Sequence, residues 1–351
     1  MTKPPVVRII AEPQSPDALV CDTALRELPD GSFVMTMLGG GDTEPMPENR
    51  VFLTRSFDQG ETWTPLERLA LDLPEDCAKT PCELTVFPDR CVLYVSTHDG
   101  TFGDWRSFTV ESTDGCRTWS SPEPLPGFLA QRSFIRPTLR SRDGRLIVPW
   151  QYYRHTDARP VDLHDGRHFS TPRDPRNGVM ISEDGGESWS IHGDVRLNDD
   201  PEYHAWAEPA LAELSDGRIA MLIRNDRTGI LYRADSLDGG RTWPQFAEPT
   251  DIPNPGSKLT LYQNQAGAIA LVHNPKPVPG QRRPLSLWVS DDDMRTWPHQ
   301  QVLVPESLDG PDHPGMGLSY PDGFLAADGK TLHLAFDDNR HRAVYVRASL
   351  P

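Results

Sequence analysis

No run in this chain of 351 residues approaches the length of a membrane span, and Met1-Thr-Lys-Pro-Pro-Val-Val lacks the apolar core of a signal peptide. Positive charge is short: 35 Lys and Arg stand against 51 Asp and Glu, a formal −16, with no basic cluster. That balance argues against nucleic acid and anionic membrane surfaces as partners, and leaves small ligands open. Cysteine is scarce. Cys21, Cys77, Cys82, Cys91 and Cys116 are odd in number and scattered without metal-ligand spacing. They read as reduced thiols of a cytoplasmic protein, with no metal or other cofactor expected. Helical periodicity is absent too, since no window of about 12 residues keeps a 3.6-residue apolar repeat.

Turn formers are plentiful instead, with 27 Gly and 35 Pro. Five copies of one short box organise them. The best preserved is Ser236-Leu-Asp238-Gly-Gly240-Arg-Thr242-Trp243, and the others begin at Ser56, Ser112, Ser182 and Ser290, at intervals of 56, 70, 54 and 54 residues. In each, Asp can fold back onto backbone N–H groups, Gly accepts positive φ, and Trp anchors the turn in apolar surroundings. These boxes are structural, and no chemistry is assigned to them.

Between the boxes runs a second repeat, two apolar stretches joined by a tight turn such as Asp30-Gly31, Asp143-Gly144, Asp216-Gly217 or Asp328-Gly329. Asp-Gly between β-rich runs is a strong hairpin signal. Six hairpins, five of them followed by a third strand and a box, predict an all-β fold: a six-bladed β-propeller forming one domain over residues 1–351. The sixth unit lacks a box, and Val6–Ile10 is expected to supply its outer strand and close the ring. The polar, Pro-rich stretch 154–177 reads as an inserted loop.

In such a blade the Asp-Gly turns and the boxes share one face. The other face collects the starts of the first strands, Asp22, Glu83, Arg136, Glu208, Lys258 and Tyr320. Residues after the second strands join them there, among them Asp42, Glu44, Arg224, Asp226, Asp337 and Arg340. Arg282 and Arg283 precede a third strand. Charged groups converging on a propeller mouth suggest a small polar ligand.

Three segments carry a family resemblance: Ala207-Glu208-Pro209-Ala210 through Asp216-Gly217 to Ile223-Arg224, His273-Asn274-Pro275 through Arg282-Arg-Pro-Leu285, and Ser319-Tyr320-Pro321 through Asp328-Gly329 to Arg340. With the boxes, they make the chain resemble the sialidase superfamily, in its bacterial six-bladed branch, over nearly its whole length. The resemblance implies Tyr320 as nucleophile with Glu208 as its partner, and Asp42 as acid/base with Glu44 competing. It implies Arg224 and Arg282 (or Arg283) as holders of a sugar carboxylate. A tyrosine suits a carbon that bears a carboxylate, because a carboxylate nucleophile would be repelled.

At one place the pattern fails. Where the first carboxylate-binding Arg belongs, this chain has Val20-Cys21-Asp22-Thr23. Asp22 would repel the ligand's carboxylate and accept from a hydroxyl; Arg136 is a substitute cation from the third blade. Three function classes follow. They are an exo-acting sialidase-like glycoside hydrolase, another carbohydrate-active enzyme on the same scaffold (a uronate lyase or deoxysugar glycosidase), and a non-catalytic glycan-binding propeller. All three take a small carbohydrate.

Overall fold

The computed structural model describes residues 4–155, 160–162, 168–170, 172–310 and 315–351. Its strands form six antiparallel sheets set as the blades of a β-propeller. Blade one takes Val20–Glu27, Phe33–Gly39, Arg50–Ser56 and Glu67–Arg68 in spatial order, and blade two repeats this with Ala78–Val86, Cys91–His98, Trp105–Ser112 and Glu123–Pro124. Blade three splits its first strand into Ser133–Ile135 and Leu139–Arg140. Blade six is assembled from both ends of the chain: Leu318–Leu325, Thr331–Asp338 and Arg342–Ser349 are joined by Val6–Ala11, with Val6 opposite Arg347. The N-terminal strand therefore closes the ring as expected.

The stretch 154–177 is less of a loop than its composition implies. The blade-three ladder runs out to His155 opposite Arg173, and Pro160–Asp162 pairs with His168–Ser170. The remainder lies outside the described residues.

Each box is a closed hydrogen-bond cage. In the first, Ser56 Oγ donates to Asp58 Oδ1 at 2.8 Å and accepts from the Gly60 N–H at 2.8 Å. Asp58 then accepts from the Thr62 N–H at 2.8 Å and from its hydroxyl. These donors hold the Asp58 carboxyl down at about 2. The box of one blade also docks on the blade before it: Arg55 of the third strand donates to the Gly115 and Cys116 carbonyls, and Arg145 beside the Asp143-Gly144 turn to the Gly239 carbonyl. Between neighbouring blades the apolar faces meet. Leu25, Phe33 and Met35 of blade one pack on Ala335, Ala343 and Tyr345 of blade six, which seals the seam where the chain ends meet.

Charge rather than apolar packing fills the axis. Asp322 of blade six accepts from Arg26 of blade one and, at 3.0 Å, from Lys258 of blade five, while Arg26 also pairs with Glu83 of blade two. Glu83 and Lys258, placed by the sequence at the mouth, thus turn inward and tie four blades together. Burial works against the ionised Asp322 carboxyl, but Arg26 and Lys258 outweigh it and hold its pKa below the usual range. Asp322→Asn keeps the shape and strips both cations of their shared partner. We expect a loss of about 3–5 kcal/mol of stability, as for other broken buried pairs, read as an earlier urea midpoint.

Candidate active site

Two cavities open on the axis. The one on the box side, about 700 Å3, is lined by Arg26, Glu83, Arg140, Arg142 and Glu213 among others. Its cations are spoken for: Arg26 by Glu83 and Asp322, Arg140 by the Val86 carbonyl, Arg142 by the Leu214 carbonyl at 2.8 Å. The opposite mouth holds a cavity of about 300 Å3, at the small end of ligand pockets and suited to one sugar ring. Tyr320, Glu208, Asp22, Glu44 and four arginines line it.

Local geometry explains why Tyr320 faces this cavity. In blade six the ladder pairs Ser319 with Asp337 and resumes at Asp322 with Ala335, so Tyr320 and Pro321 form a bulge opposite one residue. Tyr320 sits in the left-handed region at φ +52. A bulge re-aims side chains, and a bulky residue at positive φ is strained, a combination that collects at functional sites. Blade one repeats the device: Cys21 pairs with Leu38, the ladder resumes at Ala24 with Thr36, and Asp22 has φ +48. The two bulges adjoin across the seam, where the Thr23 hydroxyl donates to the Tyr320 carbonyl at 3.3 Å.

Glu208 and Arg224 flank the first rung of the blade-four hairpin, which explains their spacing: Pro209 pairs with Ile223, and the Arg224 N–H donates to the Glu208 carbonyl at 3.0 Å. Arg224 Nη1 donates to Glu208 Oε2 at 2.7 Å and reaches the Tyr320 hydroxyl at 3.5 Å. Arg136 donates to the other Glu208 oxygen at 2.8 Å and, through Nε, to Gln151. Arg136, which also lines the cavity, thus shares Glu208 with Arg224. Burial would raise the Glu208 carboxyl; Arg224 and Arg136 overcome it and hold it at about 2. Tyr320 moves the other way, to about 12, through burial and the Glu208 charge.

Arg282 lines the cavity with its guanidinium 5.6 Å from the Tyr320 ring centre, and its N–H groups go to neutral acceptors, Ser319 Oγ at 3.0 Å and the Gly256 carbonyl at 3.2 Å. Burial and the nearby Arg224 charge lower its pKa, the mark of a cation short of anions. Its neighbour Arg283 is not among the residues lining the cavity and lies 3.8 Å from Glu306. Gly317 permits the approach, because a Cβ there would stand 2.8 Å from the Arg282 carbonyl oxygen.

Sequence reasoning placed Arg340 at the mouth and gave it no role. Its guanidinium lies 5.7 Å from the Tyr320 ring centre, on a turn where Asn339 and Arg340 both have positive φ. From blade six it crosses the seam: its carbonyl accepts from the Val20 N–H at 2.8 Å, and Nη2 meets Glu44 and Cys21 Sγ. A cation thus stands beside the position where the first-blade arginine is missing. The Nε atoms of Arg224, Arg282 and Arg340 are all buried without a partner among the described residues.

Asp42 does not reach the cavity. Its side chain is exposed and tied to the Ser15 hydroxyl at 3.0 Å and the Ala18 N–H at 3.3 Å. Glu44 lines the cavity and is bound to Arg340. Cys21, Asp22 and Glu44 bring possible ligand atoms within 4.8 Å of one another, but the Arg340 guanidinium bonds two of the three, so a metal ion would have to displace it. Phe102, Phe134 and Trp206 also line the cavity as an aromatic wall, with Phe102 and Trp206 ring centres 5.6 Å apart.

Comparison with known proteins fits this geometry. A family profile described as BNR repeat-like domain matches residues 31–334. A sialidase from Bacteroides fragilis (strain YCH46) is 28% identical over 213 residues, 56% of this chain and 34% of that protein. The chain thus spans about a third of that relative. The fold is similar to a protein of unknown function from Dyadobacter fermentans DSM 18053, with TM-score 0.72, 14% identity, and 98% and 99% of the two chains covered. It is also similar to Trypanosoma rangeli sialidase in complex with 2,3-difluorosialic acid as a covalent intermediate, with TM-score 0.69, 14% identity, and 99% and 59% covered. Asp22 and Arg340 both fall outside the matched 31–334 segment.

Proposed function

This chain belongs to the BNR repeat-like domain family, and from that membership and the geometry of the mouth we propose that it is an exo-acting glycoside hydrolase of sialidase type. It removes one terminal acidic sugar from a glycoconjugate. The observation that carries this reading is the ring of guanidiniums around one strained tyrosine: Arg224 at 3.5 Å from the Tyr320 hydroxyl, with Arg282 and Arg340 at 5.6 and 5.7 Å from its ring centre. A planar fork matches a carboxylate better than an ammonium does. A carboxylate on the anomeric carbon, held there, brings that carbon to the phenol.

Attack by Tyr320 requires its proton to leave. Glu208 is the acceptor, though with both oxygens bound by arginine it is a weak base. A substrate carboxylate that draws Arg224 toward itself releases one of these bonds and raises the basicity of Glu208 at the moment it is needed. The aromatic wall of Phe102, Phe134 and Trp206 supplies an apolar face for the sugar.

The carboxylate has competitors inside the protein, Glu208 for Arg224 and Glu44 for Arg340, whereas Arg282 has no acidic partner in direct contact among the described residues. Simple sialosides are therefore expected to bind weakly. A charge-assisted hydrogen bond is worth about 1.5–3 kcal/mol, or about one to two decades of affinity. Replacing the ligand's carboxylate by a carboxamide should weaken binding by that amount in calorimetry, and Arg340→Met should shrink the difference between the two ligands. Equal affinities in the parent protein would contradict a carboxylate clamp. The reading as a whole is tested with a panel of aryl sialosides, uronides and deoxyglycosides incubated with purified protein.

A second reading has one observation in its favour: the hydrogen-bonding partner of the Tyr320 hydroxyl is a guanidinium and not a carboxylate. Arg224 works toward the phenolate against the burial and the Glu208 charge that raise the Tyr320 hydroxyl, and a phenolate can take the proton next to a uronate carboxyl and eliminate the neighbouring glycoside. That route yields a conjugated unsaturated sugar, seen by ultraviolet absorbance, whereas hydrolysis yields none. A glycan-binding propeller would bind members of the panel and turn over none.

A further inference from the structure

The carboxylates at this mouth are engaged with one exception. Arg136 and Arg224 hold Glu208, Arg340 holds Glu44, and Asp226 accepts the Trp206 N–H at 3.1 Å. Asp22 has no hydrogen bond or ion pair among the described residues, and its Oδ1 is shut off from solvent without a partner. It is nonetheless held at a cost, in the left-handed region of the bulge that blade one shares in form with the Tyr320 bulge of blade six. Both side chains line the same 300 Å3 cavity. An unsatisfied carboxyl, strained into a ligand cavity beside a nucleophile, has the geometry of a group whose partner arrives with the substrate.

We infer that Asp22 is the acid/base residue of this site, giving a proton to the departing oxygen and later taking one from water. The inference rests on the reading of Tyr320 as nucleophile. In the first half, the Tyr320 oxygen bonds the anomeric carbon and passes its proton to Glu208. The glycosidic C–O bond breaks, and the aglycone oxygen takes the Asp22 proton. In the second half, water bonds the anomeric carbon and loses its proton to the Asp22 carboxylate, while the Tyr320–carbon bond breaks and the phenolate recovers its proton from Glu208. The sum is one glycoside and one water giving sugar and alcohol.

The electrostatics agree. Burial and the Glu44 charge raise the Asp22 carboxyl to about 6, with Glu208 adding to the rise and Arg136 and Lys258 opposing it. Asp337, Cys21 and the Tyr320 hydroxyl also feel Asp22. Glu44 shares the cavity but is ion-paired to Arg340, and Asp42 lies outside it, so neither competes for the role.

The test compares Asp22→Asn with Asp42→Asn, since Asn tolerates the left-handed region well. Asp22→Asn should lower kcat/KM by about 10²–10⁴-fold on glycosides with alkyl aglycones and far less on those with nitrophenyl aglycones, which leave without a proton. Azide should restore turnover and yield the glycosyl azide, and the fall in parent activity as pH rises through about 6 should vanish. Asp42→Asn should match the parent throughout. Stability follows pH in the same direction as activity, though the substitution acts on the two in opposite senses. A carboxyl whose pKa rises from 3.8 unfolded to about 6 folded stabilises most at low pH and loses that contribution as pH climbs through 6, so Asp22→Asn should melt higher at neutral pH. Uniform loss on all aglycones without azide rescue would overturn the inference while Tyr320 stands. If Tyr320→Phe keeps full activity, the underlying reading falls and this inference with it.

Discussion

A Tyr320→Phe protein is expected to fold and melt like the parent and to lose turnover by more than about 10³-fold, the range in which removing a hydrolase nucleophile falls. The structural side of this expectation is unusually clean. The hydroxyl's hydrogen bond is the 3.5 Å contact from Arg224, long for such a bond, while the ring's place beside Arg282 and Arg340 survives the change. Little stability hangs on that oxygen. Loss of rate with retained affinity for a sugar acid would identify it as the reacting atom. Turnover within a few fold of the parent would remove Tyr320 from the chemistry and favour a different acid/base pair at the same mouth.

Glu208→Gln should do two kinds of damage at once. The carboxylate is the shared partner of two buried guanidiniums, Arg136 at 2.8 Å and Arg224 at 2.7 Å. Gln offers one acceptor oxygen and turns an NH2 group toward the other cation, so folding should weaken by about 3–5 kcal/mol. Turnover should fall by about 10²–10⁴-fold through loss of the proton acceptor, with KM changing much less. The two effects separate by temperature: assayed well below its lowered melting point, the variant should remain folded by circular dichroism and still be slow. A variant that regains parent rates once kept cold would show Glu208 to be a structural anchor alone.

The legible and illegible parts of this molecule divide by sequence distance. A box is eight consecutive residues whose Asp caps its own turn, and a hairpin is two strands and an Asp-Gly, so both can be read locally. Blade number and ring closure follow by counting. Glu208 and Arg224 were readable for the same reason, since they flank one hairpin. Arg340 was not, because its role exists only when blade six meets blade one: its partner Glu44 is 296 residues away. Nothing near Arg136 in sequence reveals that its partner is Glu208, 72 residues on. Asp42 looked apt in its Gly-rich loop, but that loop bonds back onto Ser15 and Ala18, and the turn leaves its carboxyl outside. The bulge that aims Asp22 leaves no mark in composition; it appears in the register.

The departure at Cys21-Asp22 now has a physical account in two parts. Arg340 brings a positive charge to the seam from the other side, and Asp22 lines the cavity beside it. Both residues lie beyond the 31–334 segment that matches the family, so the mouth combines a shared half with one built from the chain's ends. Ring closure is then a condition of the site as well as of the fold, because without Val6–Ala11 on blade six the Arg340 turn has less to hold it against Val20.

The most direct measurement of the central claim is covalent trapping. Protein incubated with a 2,3-difluorinated sugar acid, the kind of ligand held as a covalent intermediate by the Trypanosoma rangeli enzyme of similar fold, is digested and its peptides are weighed. We predict a mass increase of one sugar on the peptide that contains Tyr320, absent from Tyr320→Phe. A label on Glu208, on Asp22 or on no residue, with the same compound plainly turned over, would contradict the account.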